Sequence, residues 1–228
     1  MIIYGKQVCW YVLEHHRKSV KTVYIAKKGI LPQKLFDSYR DQIKFLEEKW
    51  AQAMSKGGNH QGILVELEPF EESDLVSMKK NDFLVMLDGL TDVGNIGAIV
   101  RSAYALGADG IIAIGVGQLN FAGIARTSAG ALFSMPVMIA SNGLDVLHEL
   151  HQSGFKVYGA AMNGTSVEDV VFADKKVLVV GSEGEGISKR VLGKIDELVS
   201  IPMKHEFDSL NVSVATAILL HRMNNAIK

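Results

Sequence analysis

The sequence predicts an α/β protein in which a small α/β unit precedes a domain built on a parallel sheet. Beyond residue 80, near-continuous apolar runs alternate with segments of helical periodicity, which is typical of strands covered by helices on both faces. Before residue 70 the predicted strands are shorter and less apolar, and a proline among acidic residues then interrupts the pattern. We therefore place one domain over residues 1–70, a linker over 71–80 and a second domain over 81–228.

The elements of the first domain follow from short patterns. Val8, Tyr11 and Val12 recur at helical spacing, and residues 62–67 alternate as a half-buried strand does. In chain order we predict helices over 5–17, 32–40 and 47–55, and strands over 22–26, 43–46 and 62–67.

The second domain has longer and more apolar elements. Its predicted strands lie at 83–87, 110–114, 156–161 and 177–180. A helix over 95–106 is apolar on one side and ends at Gly107. The final helix, over 209–227, is apolar on most faces, so it must be covered by the core or by another subunit.

The net charge of −1 conceals two parts of opposite sign. Residues 1–60 hold 11 Lys and Arg against 5 Asp and Glu, a balance of +6, and the remainder holds 13 against 20, a balance of −7. A basic segment on an acidic body indicates an anionic partner that docks on one end. The alternative is an ordinary solvated, lysine-rich surface.

Several classes of protein are disfavoured. A hydrophobic fraction of 48% excludes a disordered chain, and the one cysteine, Cys9, lies in an apolar run that predicts a buried, inert thiol. The sequence shows no secretory leader and no apolar run of transmembrane length, so we expect a soluble cytoplasmic protein without a membrane partner. His148 and His151 lack a third ligand near them, which argues against a metal site. No G-x-S-x-G motif supports a serine hydrolase.

Three segments follow predicted strands, where open parallel sheets bind their ligands. In the first, residues 87–102, Asn95 is either only a helix N-cap or a site residue, and Arg101 is either a surface arginine or a site residue. In the third, residues 199–215, Ser209 resembles an N-cap, whereas Asn211 and Ser213 place polar groups at the start of an apolar helix. Such groups need partners, which favours a site there.

The second segment, residues 179–188, is a glycine loop without the order of a nucleotide-binding motif. Its pattern is G-x-x-G-x-G rather than G-x-G-x-x-G, and no Lys-Ser or Lys-Thr pair follows. Glu183 and Glu185 would also repel a pyrophosphate, so the loop suits hydroxyl groups or a cation better. The alternative is an acidic turn without a ligand.

Together these segments resemble the signature motifs of the SpoU (TrmH-type) RNA 2′-O-methyltransferases, in the SPOUT superfamily. Several motifs in family order are far more specific than any one of them. The resemblance covers residues 81–228, and Tyr4-Gly5-Lys6 and His60-Gln61-Gly62 extend it to the first domain. The matching residues are Thr91-Asp92-x-x-Asn95-x-Gly97-Ala98-x-x-Arg101-Ser102, Ser128-Ala129-Gly130-Ala131, Gly181-Ser182-Glu183-Gly184-Glu185-Gly186, and Ile201-Pro202-Met203 with Ser209-Leu210-Asn211-Val212-Ser213-Val214-Ala215.

The resemblance implies S-adenosylmethionine as the methyl donor, a trefoil knot in the carboxyl-terminal part, and a homodimer formed through the last helix and the knot region. The cofactor would bind in the knot, mostly on backbone groups, at Gly181, Ile201 and Leu210. The implied catalytic residues are Asn95, Arg101, Glu183, Ser209 and Asn211.

The resemblance also implies an RNA partner. The first domain is similar to a small ribosomal RNA-binding protein, which favours ribosomal RNA. Within the family the sequence most resembles the RlmB-like enzymes, which implies a guanosine 2′-hydroxyl of 23S rRNA as the target. Methylation of tRNA or of another rRNA nucleotide is the alternative. Two rival classes are a non-enzymatic RNA-binding protein, which would have lost Arg101, Glu183 or Asn211, and a nicotinamide-dependent oxidoreductase, which the glycine order disfavours. The sequence departs from the family at Val93, where proline is frequent, and in the bulkier loop 204–208.

Overall fold

A computed structural model describes residues 1–205 and 209–225. These residues form two compact units. One unit consists of residues 1–71 together with 120–134, and the other of residues 72–119 together with 135–228, of which 206–208 and 226–228 lie outside the described ranges. Helices and strands are numbered along the chain below.

The first unit is a small α/β layer, as the sequence predicts. Its four-stranded sheet has the order β1-β4-β2-β3, in which β2 and β3 run parallel and the other neighbours antiparallel. The edge strand β1 was not predicted. Its residues Ile2, Ile3 and Tyr4 favour extended backbone, but three residues are too few to show an alternating pattern, and pairing with β4 holds them in place. The elements are β1 (Ile2–Tyr4), α1 (Lys6–His15), β2 (Val20–Ile25), α2 (Gln33–Ser38), β3 (Ile43–Phe45), α3 (Glu48–Met54), β4 (Ile63–Leu67) and, from later in the chain, α6 (Phe121–Thr127).

The two short motifs quoted for the first domain fold against each other. The Gln61 side-chain oxygen accepts a hydrogen bond from the Lys6 amide at 2.8 Å, at the start of α1. A Cβ atom at Gly58 would lie 2.3 Å from the Tyr4 hydroxyl, so this glycine allows a close approach. The buried His60 accepts from the Gly62 amide through Nδ1, and its Nε2 lies 3.0 Å from a Glu48 carboxylate oxygen. The motifs therefore fix the starts of α1 and α3.

Residues 120–134 complete the first unit. Gly130 has a φ of +96°, and a Cβ atom there would lie 2.6 Å from the Tyr11 ring. The Tyr11 hydroxyl lies 2.6 Å from the Ser134 hydroxyl. The Ser128-Ala129-Gly130-Ala131 motif is thus a close packing contact against α1.

The second unit contains the predicted parallel sheet. All neighbouring strands are parallel, in the order β10-β8-β9-β5-β6-β7. Apolar side chains from Leu84, Ile112, Leu147 and Val177 lie in its main core, which explains why the strand sequences are almost continuously apolar. The elements are α4 (Leu75–Met78), β5 (Phe83–Asp88), α5 (Val93–Ala105), β6 (Gly110–Ile114), β7 (Val137–Ala140), α7 (Gly143–Gln152), β8 (Lys156–Ser166), β9 (Lys176–Gly181), α8 (Lys189–Leu192), β10 (Glu197–Ser200) and α9 (Val212–Asn224).

Two helix starts differ from the prediction. The N-cap of α5 is Asp92, whose carboxylate accepts from the Asn95 amide at 2.7 Å, so Asn95 is not the cap. The N-cap of α9 is Asn211 rather than Ser209, because the Asn211 side chain reaches the free amides of the first turn. The last predicted residues of that helix, 226 and 227, lie outside the described ranges.

The last helix is covered on one side. Within α9, Thr216, Leu219, Leu220 and Met223 are buried, and the helix packs against α5. Val214 and Ile218 are 48% and 40% exposed. The prediction that the core or another subunit must cover this helix is therefore met by the core on one face only.

Two further expectations can be compared with the structure. Cys9 is fully buried, as predicted, and burial raises the pKa of its thiol far above the usual range. Within the described ranges, no helix is both long enough and apolar enough to cross a bilayer.

Candidate functional site

The sheet order brings the predicted loop segments to one edge. The strands β5 and β9 are parallel neighbours, and their last residues, Asp88 and Gly181, are register partners. The loops that follow them therefore leave the sheet side by side, as expected for a ligand site at the carboxyl ends of strands. The third segment follows β10, in the same sheet.

The glycine loop after β9 folds tightly back on itself. The Gly186 amide donates to the Ser182 carbonyl at 2.9 Å, and Gly186 has a φ of +67°. A Cβ atom at Gly181 would lie 2.0 Å from the Gly186 carbonyl carbon, so only glycine fits at position 181. The buried carboxylate of Asp88 then accepts from the Ser188 amide at 2.8 Å, which ties the end of the loop to β5.

Three predicted site residues form one hydrogen-bonded group, which we call the Asn–Glu–Asn network. The Asn211 side-chain amide donates to Glu183 Oε1 at 2.7 Å and to Asn95 Oδ1 at 3.0 Å. The Asn95 side-chain amide donates to the same Glu183 oxygen at 3.1 Å. One carboxylate oxygen thus receives two N–H groups, and each of the three loop segments contributes one member.

Asn211 has two functions in this arrangement. Its side-chain oxygen caps α9 by accepting from the Ser213 amide at 2.9 Å and from the Val214 amide at 3.4 Å. The same oxygen accepts from the Ser213 hydroxyl at 2.6 Å. Because the oxygen is committed to the helix, the amide nitrogen must point to the network. The side chain of Asn211, a polar group at the start of an apolar helix, therefore has hydrogen-bond partners for both its oxygen and its nitrogen.

A cavity of about 1070 Å³ lies beside the network. Its wall includes six predicted site residues, all outside the first segment. The described residues that line it include two carboxylates, Glu183 and Glu185, and no lysine or arginine. The cavity therefore favours a neutral or positively charged ligand. The predicted residues on its wall are Gly181, Glu183, Ile201, Ser209, Leu210 and Asn211.

Arg101 is not part of this group. It lies on an exposed part of α5, six residues beyond Asn95, which places the two side chains about 120° apart around the helix axis. In the two described ranges no hydrogen bond joins Arg101 to Asn95, Glu183 or Asn211. Ser209 lines the cavity but also takes no part in the network.

Sequence reasoning missed two residues that shape the site, Asp88 and Asp92. Asp92 caps α5 and so places Asn95 in the first turn. Asp88 anchors the glycine loop. Each is an acid directly after or near the end of a buried strand, a pattern that could have identified both as partners for backbone amides.

Comparisons with known proteins match both parts of the chain. The model of the SpoU rRNA Methylase family matches residues 82–221. A second model, described as RNA 2′-O ribose methyltransferase substrate binding, matches residues 2–73.

One similar protein and two similar structures illustrate these matches. An uncharacterized tRNA/rRNA methyltransferase of Mycobacterium tuberculosis is 40% identical over 169 residues, which are 71% of this chain and 52% of that protein. The SpoU methyltransferase AviRb from Streptomyces viridochromogenes, in complex with AdoMet, is 26% identical with a TM-score of 0.80, covering 98% of this chain and 89% of that one. The TrmH/SpoU tRNA modifying enzyme of A. aeolicus is 26% identical with a TM-score of 0.56, covering 66% of this chain and 80% of that one. The chain spans about half the length of the curated relatives it matches.

Proposed function

The chain belongs to the SpoU rRNA Methylase family, and from this premise we propose that it transfers a methyl group from S-adenosylmethionine to a ribose 2′-hydroxyl in RNA. The observation that carries the proposal is the Asn–Glu–Asn network beside a cavity whose charged side chains are acidic. The similar AviRb structure is a complex with AdoMet. The match of residues 2–73 to a substrate-binding model supports RNA as the substrate.

The cavity wall fits this donor. Gly181 leaves no room for a side chain, so a ligand there meets backbone rather than side-chain groups. Ile201 and Leu210 lie outside helices and strands, where backbone groups are not committed to a ladder. The two glutamates suit the positively charged sulfonium of S-adenosylmethionine and the hydroxyl groups of its ribose. When bound, the donor supplies an activated methyl group.

The protein's own residues must align a ribose hydroxyl and help to remove its proton. Arginine is a poor base, because its guanidinium stays protonated in proteins. Arg101 would therefore contact the hydroxyl and the adjacent phosphate and stabilise developing negative charge. The network leaves the second Glu183 oxygen unused by Asn95 and Asn211. That oxygen is then available to the ribose or to Arg101, and Ser209 on the cavity wall would assist in orienting them.

A homodimer through α9 and the knot region belongs to this proposal. Val214 and Ile218 form an uncovered apolar stripe on α9, one turn apart. Arg101 is exposed on α5, the helix that packs against α9, and in the proposed dimer we assign it to the network of the neighbouring copy. Ile218→Asp should convert the dimer into monomers in sedimentation experiments and abolish methyl transfer. Val76→Asp, a matched control at an exposed apolar residue of α4, should change neither property; a monomeric wild-type chain with full activity would contradict the dimer.

The proposed target is a guanosine of 23S rRNA, with tRNA as the second candidate. The basic balance of residues 1–60 and the substrate-binding match support a large structured RNA, which is recognised by shape and backbone. The A. aeolicus tRNA modifying enzyme matches 66% of this chain, whereas AviRb matches 98%. The M. tuberculosis relative is named a tRNA/rRNA methyltransferase, which supports tRNA as the second candidate substrate.

The remaining parts of the proposal concern organisation. We assign RNA binding to residues 1–70 and methyl transfer to residues 81–228, joined by the linker 71–80. The segment that carries Gly181, Ile201 and Leu210 would form the trefoil knot, and the protein would act in the cytoplasm. Mapping 2′-O-methylation in cellular RNA with and without the gene tests the substrate: loss of one 23S rRNA methylation is expected, and loss confined to tRNA would select the second candidate.

A further inference from the structure

Two large aromatic side chains of the first unit lie on its surface. Phe45, the last residue of β3, is 62% exposed, and Trp50, in the first turn of α3, is 59% exposed. Trp50 is the fifth residue after Phe45, so their Cα atoms lie within about 18 Å of each other. Large aromatic rings normally dominate cores and interfaces. A nearby pair left in solvent indicates an interaction surface.

The sheet register places lysines at the same edge. The strand β3 is an edge strand that runs parallel to β2, with Phe45 and Ile25 as register partners. Residues 27 and 28, which follow β2, therefore leave the sheet beside the start of α3. The amide of Lys27 donates to the Gly62 carbonyl at 3.2 Å, which holds this turn in place.

The charge around the two rings is mainly positive. Lys27, Lys28 and Lys49 are exposed, and among the residues with described positions none of them forms an ion pair. Two acids, Glu47 and Glu48, directly precede Lys49. The Glu48 carboxylate lies 3.0 Å from the His60 imidazole. Three exposed lysines therefore lie in the same part of the first unit as the two exposed rings.

We propose that Phe45, Trp50, Lys27, Lys28 and Lys49 form an aromatic–lysine surface that binds unpaired nucleotides of the RNA substrate. This inference rests on the proposed function and names the part of the substrate that the first unit holds. Unpaired bases stack on aromatic rings whatever their sequence, and lysines hold the phosphates. Bases inside a duplex are already stacked, so the surface selects a loop, a bulge or a strand end.

Tryptophan fluorescence gives a direct test with the full chain, which contains two tryptophans, Trp10 and Trp50. Binding of a 12-nucleotide oligo(U) should quench the emission of Trp50. Trp50→Phe keeps an aromatic ring, so it should still bind oligo(U) while most of the quenching disappears. Trp10 then serves as the internal reference, since its ring is covered by the Lys6 ammonium at 4.3 Å.

Affinity measurements separate stacking from charge. Phe45→Ala and Trp50→Ala should each weaken oligo(U) binding roughly 5- to 150-fold, the range for one lost base stack, and should leave affinity for a 12-base-pair RNA duplex within about twofold. The double variant Lys27→Ala/Lys28→Ala should reduce the slope of log K against log salt by about 1.4. Lys189→Ala/Arg190→Ala, which removes an adjacent pair of exposed cations on α8 of the second unit, is the matched two-charge control and should leave oligo(U) affinity within about twofold.

Two results would contradict the proposal that the aromatic–lysine surface binds RNA. One is unchanged oligo(U) affinity in the Phe45→Ala/Trp50→Ala double variant. The other is loss of concentration-dependent self-association in that variant without loss of RNA affinity, which would assign the face to a second copy of the chain. Calorimetry with S-adenosylmethionine on the wild-type chain tests the proposed function separately. A chain that binds no donor contradicts that function, whereas donor binding with unchanged RNA affinity in the double variant contradicts the surface alone.

Discussion

The dual use of Asn211 allows helix capping and the site network to be separated by substitution. Serine is as good an N-cap as asparagine, but its side chain has no amide to donate to Glu183 or Asn95. Asn211→Ser therefore preserves the cap on α9 and removes the donors that the structure shows at 2.7 and 3.0 Å. Asn211→Ala removes both the donors and the cap.

The expected magnitudes differ between stability and activity. A hydrogen bond to a charged group contributes about 1.5–3 kcal/mol. If the network orients the reacting groups, Asn211→Ser should lower kcat/KM about 10- to 150-fold. Because the network is exposed, the Tm should change by less than about 2 °C. Asn211→Ala should show a similar loss of activity and an additional destabilisation of about 1 kcal/mol, or roughly 2–4 °C in Tm for a chain of this length.

The assay combines methyl transfer to rRNA, calorimetric binding of S-adenosylmethionine and thermal unfolding. The account predicts two variants that lose activity together and differ in Tm. Full activity in Asn211→Ser would refute the orienting role of the network. Equal Tm values for the serine and alanine variants would refute the capping role.

Three further predictions concern separate parts of the second and first units. Arg101→Ala should abolish methyl transfer while donor affinity stays within about threefold, and Arg190→Ala, at an exposed arginine of α8, should leave transfer unchanged; activity equal to wild type in Arg101→Ala would remove Arg101 from the mechanism. Gly181→Ala should abolish donor binding, because its Cβ would lie 2.0 Å from backbone; normal binding, measured by calorimetry, would contradict the packed loop. Cys9, fully buried and with its thiol pKa raised by burial, should resist iodoacetamide in the native state and react in urea; rapid native labelling would contradict its burial.

Much of the fold could be predicted because its elements carry strong patterns. The buried strands β5, β6 and β9 are apolar runs bounded by polar loops, and their parallel arrangement follows from the helices between them. The strand β1 was missed because it depends on pairing with β4. No composition pattern indicates that residues 120–134 pack with the first unit, since that grouping depends on tertiary contacts such as Gly130 against Tyr11.

The candidate site, like the fold, could be predicted only in part. Asn95, Glu183 and Asn211 were predicted through the resemblance of their segments to the family motifs, and the structure brings them together. Asn95 and Ser209 were predicted as helix caps, but the caps of α5 and α9 are Asp92 and Asn211. Each pair offers two suitable side chains, and only backbone geometry decides between them. The position of Arg101 relative to the network could not be inferred from spacing alone.

The central claim is methyl transfer to a ribose hydroxyl of RNA, and one measurement tests it most directly. The purified chain is incubated with unmodified 23S rRNA and S-adenosylmethionine carrying a labelled methyl group, and the product is hydrolysed with alkali. A methylated 2′-hydroxyl protects the adjacent phosphodiester from alkali, so the account predicts label in an alkali-resistant dinucleotide that contains a guanosine. Label recovered on a base in mononucleotides, or no label in the presence of bound donor, would contradict it.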